Sequence, residues 1–170
     1  MDARTGKYLA LGWLVWISAC ATPPSRPPIR AHELPTPAAW VVTDRTGVCH
    51  DLDADLAAGR PVALIFWQTW CASCLRETPV LASASRAFGD RIRFFGVIPG
   101  PDAVVDESEI TRTVDSFDIP YPQLRDRDLS LTRLFDVQGT PTILVLGPDK
   151  RVLYRGHAPP EDWASLTQAQ

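Results

Sequence analysis

The chain has 170 residues, of which 45% are hydrophobic and 22% are charged, and its formal net charge at pH 7 is −3. Its length allows one domain plus a leader, and its composition is that of a folded globular protein. A negative net charge does not indicate a nucleic-acid partner, so that class of function is set aside.

Residues 1–19 have the features of an export signal, with a positively charged start and an apolar run over residues 8–17. The run is shorter than the stretch of about 20 residues that crosses a bilayer. It ends in Ile17-Ser18-Ala19-Cys20, which resembles the lipobox of bacterial lipoproteins. The resemblance implies cleavage before Cys20 and lipidation of that cysteine. The alternatives are an uncleaved signal anchor and a secretory signal with an incidental cysteine.

Residues 20–39 are predicted to form a tether that starts at the lipidated Cys20 and contains six prolines. Proline at this density favours an extended chain of ~3.1 Å per residue, so the tether could span up to about 55 Å. An ordinary disordered linker is the alternative. Ala21 stands where an aspartate would indicate retention in the inner membrane. We therefore expect a protein of the bacterial cell envelope that faces the periplasm, anchored by lipid, with the outer membrane favoured.

Residues 40–170 have the pattern of an α/β domain that begins with a β-hairpin, formed by residues 40–44 and 48–52 around a turn. The other predicted strands are 62–67, 92–97, 142–146 and 152–154. The predicted helices are 53–58, 74–88, 107–117, 129–135 and 161–166. Residues 62–67 are an unbroken apolar run, as expected of a strand buried on both faces, and residues 92–97 are predicted to be a second buried strand. The order of elements predicts a central mixed β-sheet flanked by helices.

The four cysteines do not look equivalent, since Cys20 lies in the leader, Cys49 stands alone, and Cys71 and Cys74 form a CxxC. Two structural disulfides are therefore not indicated. A CxxC can also be half of a zinc site, but no second CxxC follows and the three histidines are scattered singly. We expect neither a metal nor a cofactor.

The surroundings of the CxxC indicate redox chemistry. A predicted buried strand runs into Cys71, and a predicted helix begins at Cys74. Unpaired N–H groups at a helix N-terminus favour an anion, here the thiolate that attacks in disulfide exchange. Cys71 would be the exposed, attacking sulfur. Cys74 would be the buried sulfur that resolves the mixed disulfide.

Residues 66–79 have the sequence FWQTWCASCLRETP. This segment resembles the active-site segment of the TlpA/ResA-like branch of the thioredoxin superfamily, in which FWxxWCxxC is followed by ExP. A second match is GTPT at residues 139–142, where the family has a cis-proline packed against the CxxC. The resemblance covers residues 40–162 and implies a thioredoxin-like fold with an N-terminal β-hairpin.

The resemblance also implies substrate-binding residues. The main chain of Thr140, the residue before Pro141, would pair with a bound substrate chain. Trp70 would form part of an apolar collar around Cys71. For Pro141, an ordinary trans proline at the start of a strand is the alternative.

Glu77 is the candidate proton carrier. It shares one helical face with Cys74, Leu81, Ala84 and Phe88. The apolar members predict that this face is buried, and burial favours the protonated form of a carboxyl group. Such a group can accept or donate a thiol proton, and in the resembled family a glutamate at this place is linked to acid–base behaviour. The alternative is a solvated residue paired with Arg76 or a lysine.

The sequence departs from related patterns near the site. Ile65 stands where classical thioredoxins carry a buried aspartate, so Glu77 is the only obvious local acid. Gln68 replaces a residue that is usually small, and the dipeptide Ala72-Ser73 contains neither proline nor histidine.

Cys49 and His50 lie together in the predicted hairpin. Cys49 is either a second redox contact, including an intermolecular disulfide, or a small buried hydrophobe. A lone histidine in a hairpin is expected at the surface.

These features predict an extracytoplasmic thiol–disulfide oxidoreductase that exchanges a dithiol with protein substrates. The resemblance suggests a reductant, for instance of apocytochrome, that receives electrons from a membrane donor protein. The alternative is a thioredoxin-fold copper-binding or metal-delivery module that uses the CxxC and His157. Such modules usually carry a wider CxxxC, which disfavours them. A peroxiredoxin would need Pro-x-x-x-Thr-x-x-Cys, which the sequence lacks.

Overall fold

The computed structural model describes residues 40–168, so the leader, Cys20 and the tether lie outside the described residues. The strands are β1 Val41–Thr43, β2 Cys49–Asp51, β3 Val62–Phe66, β4 Arg93–Pro99, β5 Gln123–Asp126, β6 Thr142–Leu146 and β7 Val152–Gly156. The helices are α1 Leu52–Ala57, α2 Ala72–Phe88, α3 Glu107–Ser116, α4 Ser130–Leu134 and α5 Trp163–Leu166. Over this range, none of the helices has the length and apolar character needed to cross a membrane.

The central sheet has the strand order β5-β4-β3-β6-β7, and the predicted hairpin is a separate antiparallel pair, β1 with β2. β4 is parallel to β3 and β5, whereas β6 is antiparallel to both β3 and β7. The sheet is therefore mixed, as predicted. Phe66, at the end of β3, pairs with Thr142 at the start of β6. The register brings the segment after β3 and the segment before β6 to the same edge of the sheet.

The sheet separates two apolar clusters, and this explains why its central strands are continuously hydrophobic. In β3, Val62, Leu64 and Phe66 belong to a cluster that includes hairpin, α1 and α4 residues. Ala63 and Ile65 belong to the opposite cluster, which includes α2 and α5 residues. Every β3 side chain is thus buried, and the absence of alternation in the sequence follows from a helical layer on each face.

β5 was not predicted, because its sequence Gln-Leu-Arg-Asp contains a single apolar residue. The side chains of Gln123 and Asp126 are buried and are satisfied by hydrogen bonds. Gln123 accepts a hydrogen bond from Trp67 Nε1 at 2.9 Å. Asp126 accepts hydrogen bonds from the backbone N–H groups of Leu131 and Thr132 at the start of α4. Trp67 lies 56 residues from Gln123 in the sequence, so the local sequence gives no sign that Gln123 is buried in a strand.

The prediction of a surface histidine at position 50 is wrong. Only 11% of the His50 side chain is exposed, and its Nε2 lies 2.8 Å from Asp44 Oδ2. Its ring contacts the buried Phe95 edge-on, with 5.1 Å between ring centroids. Burial raises the pKa of Asp44, but hydrogen bonds from His50, Thr46 and Val48 outweigh it and lower the pKa to about 2.

Cys49, in contrast, is exposed and free. Its interpretation as a buried hydrophobe is therefore wrong, and its Sγ lies 3.6 Å from Thr43 Oγ1 on the neighbouring strand.

At the other end of the sheet, Lys150 in the turn between β6 and β7 joins that turn to α1. Its Nζ lies 2.7 Å from Asp53 Oδ1.

Candidate active site

Cys71 and Cys74 form a disulfide at the N-terminus of α2, with their Cα atoms 5.2 Å apart. Cys71 is the N-cap residue, and its Sγ accepts a hydrogen bond from the backbone N–H of Cys74 at 3.2 Å. The helix thus begins at Ala72, two residues earlier than predicted, and continues through Pro79. A sulfur at the cap of this 17-residue helix lies where unpaired N–H groups favour negative charge.

The two sulfurs differ in access. Cys74 is 3% exposed and packs in a small cluster with Trp67, Ile98 and Ile110. Cys71 is half-buried and borders the solvent. A large substrate can approach Cys71, whereas the other sulfur is covered by the domain.

The loop between β3 and the disulfide is tied to the neighbouring strands. The backbone N–H of Trp67 donates to Val97 O at 3.0 Å, which extends the pairing of β3 with β4. Gln68, the unusual residue of this loop, is buried, and its Nε2 donates to Pro99 O. The backbone N–H of Cys71 then donates to Gln68 O at 3.1 Å. Gln68 thereby fixes the loop that presents Cys71.

The second wall of the site comes from the segment before β6. The Thr140-Pro141 peptide bond is cis, as the resemblance implied, and Pro141 is buried. Thr142 Oγ1 donates to Gly139 O at 2.7 Å and closes this short segment on itself. A cleft of about 540 Å³ lies beside the disulfide and is lined by Trp70, Cys71, Ala72, Ser73, Arg76 and Thr140.

Trp70 stands between this cleft and a second groove along α3. Its side chain is 65% exposed, which makes it a large apolar surface beside the accessible sulfur. Thr69, the preceding residue, donates a hydrogen bond to Glu109 Oε2 of α3 at 3.2 Å. The predicted collar position of Trp70 therefore coincides with an exposed ring at the rim of the cleft.

Glu77 lies on a helical face whose predicted burial is confirmed. Leu81 and Ala84 on that face are 2% and 7% exposed, and Phe88 packs against the same cluster. Glu77 itself is half-buried. Among residues 40–168, its carboxylate has no hydrogen-bond or ion-pair partner. Its role as proton carrier stays a prediction.

His157 is a site neighbour that the sequence reasoning did not place. Its Nδ1 lies 2.7 Å from the carbonyl oxygen of Pro141. The predicted hairpin of residues 142–146 and 152–154 contained a signal, because its register brings the residue after β7 close to the residue before β6. In the described part of the chain, no three His, Cys, Asp or Glu side chains are grouped so that they could hold a metal ion.

Comparison with known proteins gives a family match over nearly the whole domain. The model of the Redoxin family matches residues 38–169. The thioredoxin-like protein YneN of Bacillus subtilis is 28% identical over 90 residues, covering 53% of this chain and 52% of YneN. The thiol-disulfide oxidoreductase ResA of the same species is 27% identical over 115 residues, covering 67% of this chain and 61% of ResA. The chain spans less than two thirds of the length of these two relatives.

Among solved structures, a secreted Mycobacterium tuberculosis disulfide oxidoreductase homologous to E. coli DsbE has a TM-score of 0.61 at 19% identity. The match covers 77% of this chain and 96% of that chain, and at this identity it shows the shared fold. Fold, disulfide and family match together define the class, a thioredoxin-like protein with a CxxC disulfide at the start of a helix. The chain belongs to the Redoxin family.

Proposed function

We propose that this protein exchanges the Cys71–Cys74 pair with protein substrates outside the cytoplasm and that it acts as a reductant. The observation that carries the proposal is the contrast between the two bonded sulfurs. Cys71 borders an open cleft of about 540 Å³, and Cys74 is 3% exposed. A pair with one accessible and one covered sulfur suits a two-step exchange in which the substrate meets a single nucleophile.

The reaction starts from the reduced pair. The Cys71 thiolate attacks one sulfur of a substrate disulfide, forms a mixed disulfide and expels the other substrate sulfur, which takes up a proton. Cys74 then loses its proton and attacks Cys71 Sγ, which forms the intramolecular disulfide and releases the second substrate thiol. Two electrons pass to the substrate. The cap position of Cys71 favours its thiolate, which is the reactive form.

Three further residues have roles in this proposal. The main chain of Thr140, across the cleft from Cys71, would pair with an extended substrate segment. Pro141 fixes the direction of that main chain, and Trp70 offers an apolar surface to the residues beside the substrate cysteine. Glu77, one helical turn beyond Cys74, would accept and return the proton of the resolving thiol.

The proposed location rests on the leader. Cleavage before Cys20 and its lipidation would anchor the protein to a membrane of the bacterial cell envelope, and residues 20–39 would hold the domain in the periplasm. Since the pair leaves each cycle as a disulfide, continued reduction requires an electron donor, for which a membrane protein is the natural source. The solved relative from M. tuberculosis is described as secreted, in agreement with a position outside the cytoplasm.

Serine variants of the two cysteines test the exchange. Cys71→Ser should abolish reduction of insulin or of a peptide disulfide, because the accessible sulfur is gone. Cys74→Ser should retain the attack and accumulate mixed disulfides through Cys71. Cys49→Ser is the matched control, since Cys49 is exposed and outside the site, and it should behave as wild type.

Two outcomes would contradict the proposal. Stable adducts that form through Cys74 alone would reverse the roles of the two sulfurs. Stoichiometric Cu(I) binding that depends on His157, without exchange activity, would favour the metal-delivery alternative.

A further inference from the structure

The contact between His157 and Pro141 lies where the pairing of β6 with β7 stops. The register ends with Ile143 opposite Gly156, so one more step of two residues would place Pro141 opposite Ala158. Pro141 has no N–H and cannot donate to a further rung of the ladder. The imidazole of His157 supplies a donor at this point and holds the carbonyl of Pro141.

The hydrogen-bond partner of His157 determines which of its two ring nitrogens carries the proton. A carbonyl oxygen only accepts hydrogen bonds, so Nδ1 of His157 must carry the hydrogen in this contact. The Nδ1 to O distance of 2.7 Å is that of a well-formed bond. Within residues 40–168, no other side chain from a separate element hydrogen-bonds to residues 139–141.

We infer that His157 is a positioning residue that holds the Thr140–Pro141 segment in place for substrate docking. The inference rests on the proposed function, in which the main chain of Thr140 binds the substrate. Gly139 is exposed with open space around it, and the hydroxyl of Thr142 donates only back to Gly139. The hydrogen bond from His157 therefore links the segment before β6 to the end of β7, and a docking main chain is effective when its orientation is held.

If His157 has this role, it affects the binding of a polypeptide substrate and not the reactivity of the sulfurs. His157 contacts the Pro141 carbonyl and neither sulfur, so its loss should weaken the binding of a polypeptide and leave the intrinsic reactivity of Cys71 unchanged. A small aromatic disulfide or iodoacetamide needs no pairing with Thr140 and serves as the insensitive reference.

The experiment compares full-length wild type, His157→Ala and His157→Asn. Reduced protein is mixed in a stopped-flow instrument with a ten-residue peptide disulfide over a range of concentrations. His157→Ala removes the donor and should raise the half-saturating peptide concentration about fivefold, the effect of one neutral hydrogen bond, with the maximal rate unchanged. Asparagine places its amide N–H close to the position of Nδ1, so His157→Asn should restore the wild-type value. The rates with 5,5′-dithiobis(2-nitrobenzoate) and iodoacetamide should be equal in all three proteins.

Other results would contradict either the inference or the proposed function on which it rests. An unchanged half-saturating concentration in His157→Ala, or no restoration by asparagine, would overturn the inference. Equal losses with the peptide and with the small reagents would overturn it too, since they would indicate a general structural role. If wild type itself fails to reduce the peptide but reacts with the small reagents, the proposed function falls, and the inference falls with it.

Discussion

At the scale of single residues, Glu77 and Cys74 lie one helical turn apart on the same face of α2. Residues three apart on a helix have Cβ atoms about 5–6 Å from each other, so a carboxylate and a thiolate at these positions repel each other. Glu77 is half-buried and has no ion-pair partner in residues 40–168, so no paired cation offsets that repulsion. The helix N-terminus acts in the opposite sense and favours the thiolate.

Glu77→Gln tests this repulsion because it keeps the shape of the side chain and removes its charge. With the like charge gone, Cys71 should form its thiolate more readily, and its alkylation by iodoacetamide should move to lower pH. The resolving step should slow, since the proposed proton acceptor is missing. The measurement is the alkylation rate of the reduced protein from about pH 5 to pH 10. Asp90→Asn, just beyond α2 at its far end, makes the same change in charge and should have no effect. Superimposable profiles for wild type and Glu77→Gln would exclude the acid–base role.

At the scale of elements, the N-terminal hairpin is held by a largely buried side-chain contact, 2.8 Å between His50 Nε2 and Asp44 Oδ2. The pKa of Asp44 is about 2, below its ordinary value of 3.8. A carboxyl group with a depressed pKa in the folded state stabilises the protein above its unfolded pKa, and this contribution is lost as the pH falls towards the folded value. The difference corresponds to roughly 2 kcal/mol in the free energy of unfolding.

Asp44→Asn should therefore destabilise the protein at neutral pH and should reduce the steepness of the fall in stability between pH 4 and pH 2. The free energies of unfolding of wild type and variant should converge as the pH approaches 2, in urea titrations at several pH values. Asp115→Asn, on the exposed side of α3, is the control and should preserve the wild-type slope. Parallel curves for wild type and Asp44→Asn across this range would refute the assignment.

The contact between β4 and β5 depends on a residue without a side chain. A Cβ on Gly96 would lie 2.0 Å from Gln123 Oε1, the atom that accepts from Trp67 Nε1. Gln123 is also held by its Nε2, which donates to Tyr121 O at 2.8 Å. The amide cannot turn away without breaking both hydrogen bonds, so this glycine is required by close approach.

Gly96→Ala should lower the free energy of unfolding by about 1–3 kcal/mol, the usual cost of overpacking a core. The urea midpoint measures the loss. Gly139→Ala is the matched control, because a Cβ there would have nothing within 4 Å, and its midpoint should stay near that of wild type. A midpoint for Gly96→Ala equal to that of the control would show that Gln123 can be displaced at no cost.

These elements also show what local sequence could and could not predict. β3 was predicted because a strand buried on both faces is continuously apolar. The disulfide was predicted because a strand, a CxxC and a helix follow each other along the chain. The burial of Gln123 in β5 and of Gln68 gave no local signal, since their partners Trp67 and Pro99 are 56 and 31 residues away. The position of His157 beside Pro141 follows from the register of the β6–β7 hairpin. The burial of His50 likewise depends on Phe95, which is 45 residues away in the sequence.

At the scale of the whole molecule, the proposed anchor determines where the active domain works. Cys20→Ser removes the acyl acceptor and should leave an unprocessed precursor or release the protein from the membrane fraction. Fractionation and mass measurement of the mature chain decide between these results. Cys49→Ser again provides the control for loss of a thiol. A Cys20→Ser variant with wild-type membrane association and mature mass would disprove lipidation.

Lys150 is the only lysine in residues 40–168. β6 runs from Thr142, beside the cleft, to Leu146, so the turn that carries Lys150 lies at the opposite edge of the sheet. Among the side chains of residues 40–168, amine-reactive dyes, biotin or resins would therefore attach at Lys150 alone, remote from the disulfide. Protein coupled to a sensor surface in this way would present Cys71 to the solution in a uniform orientation.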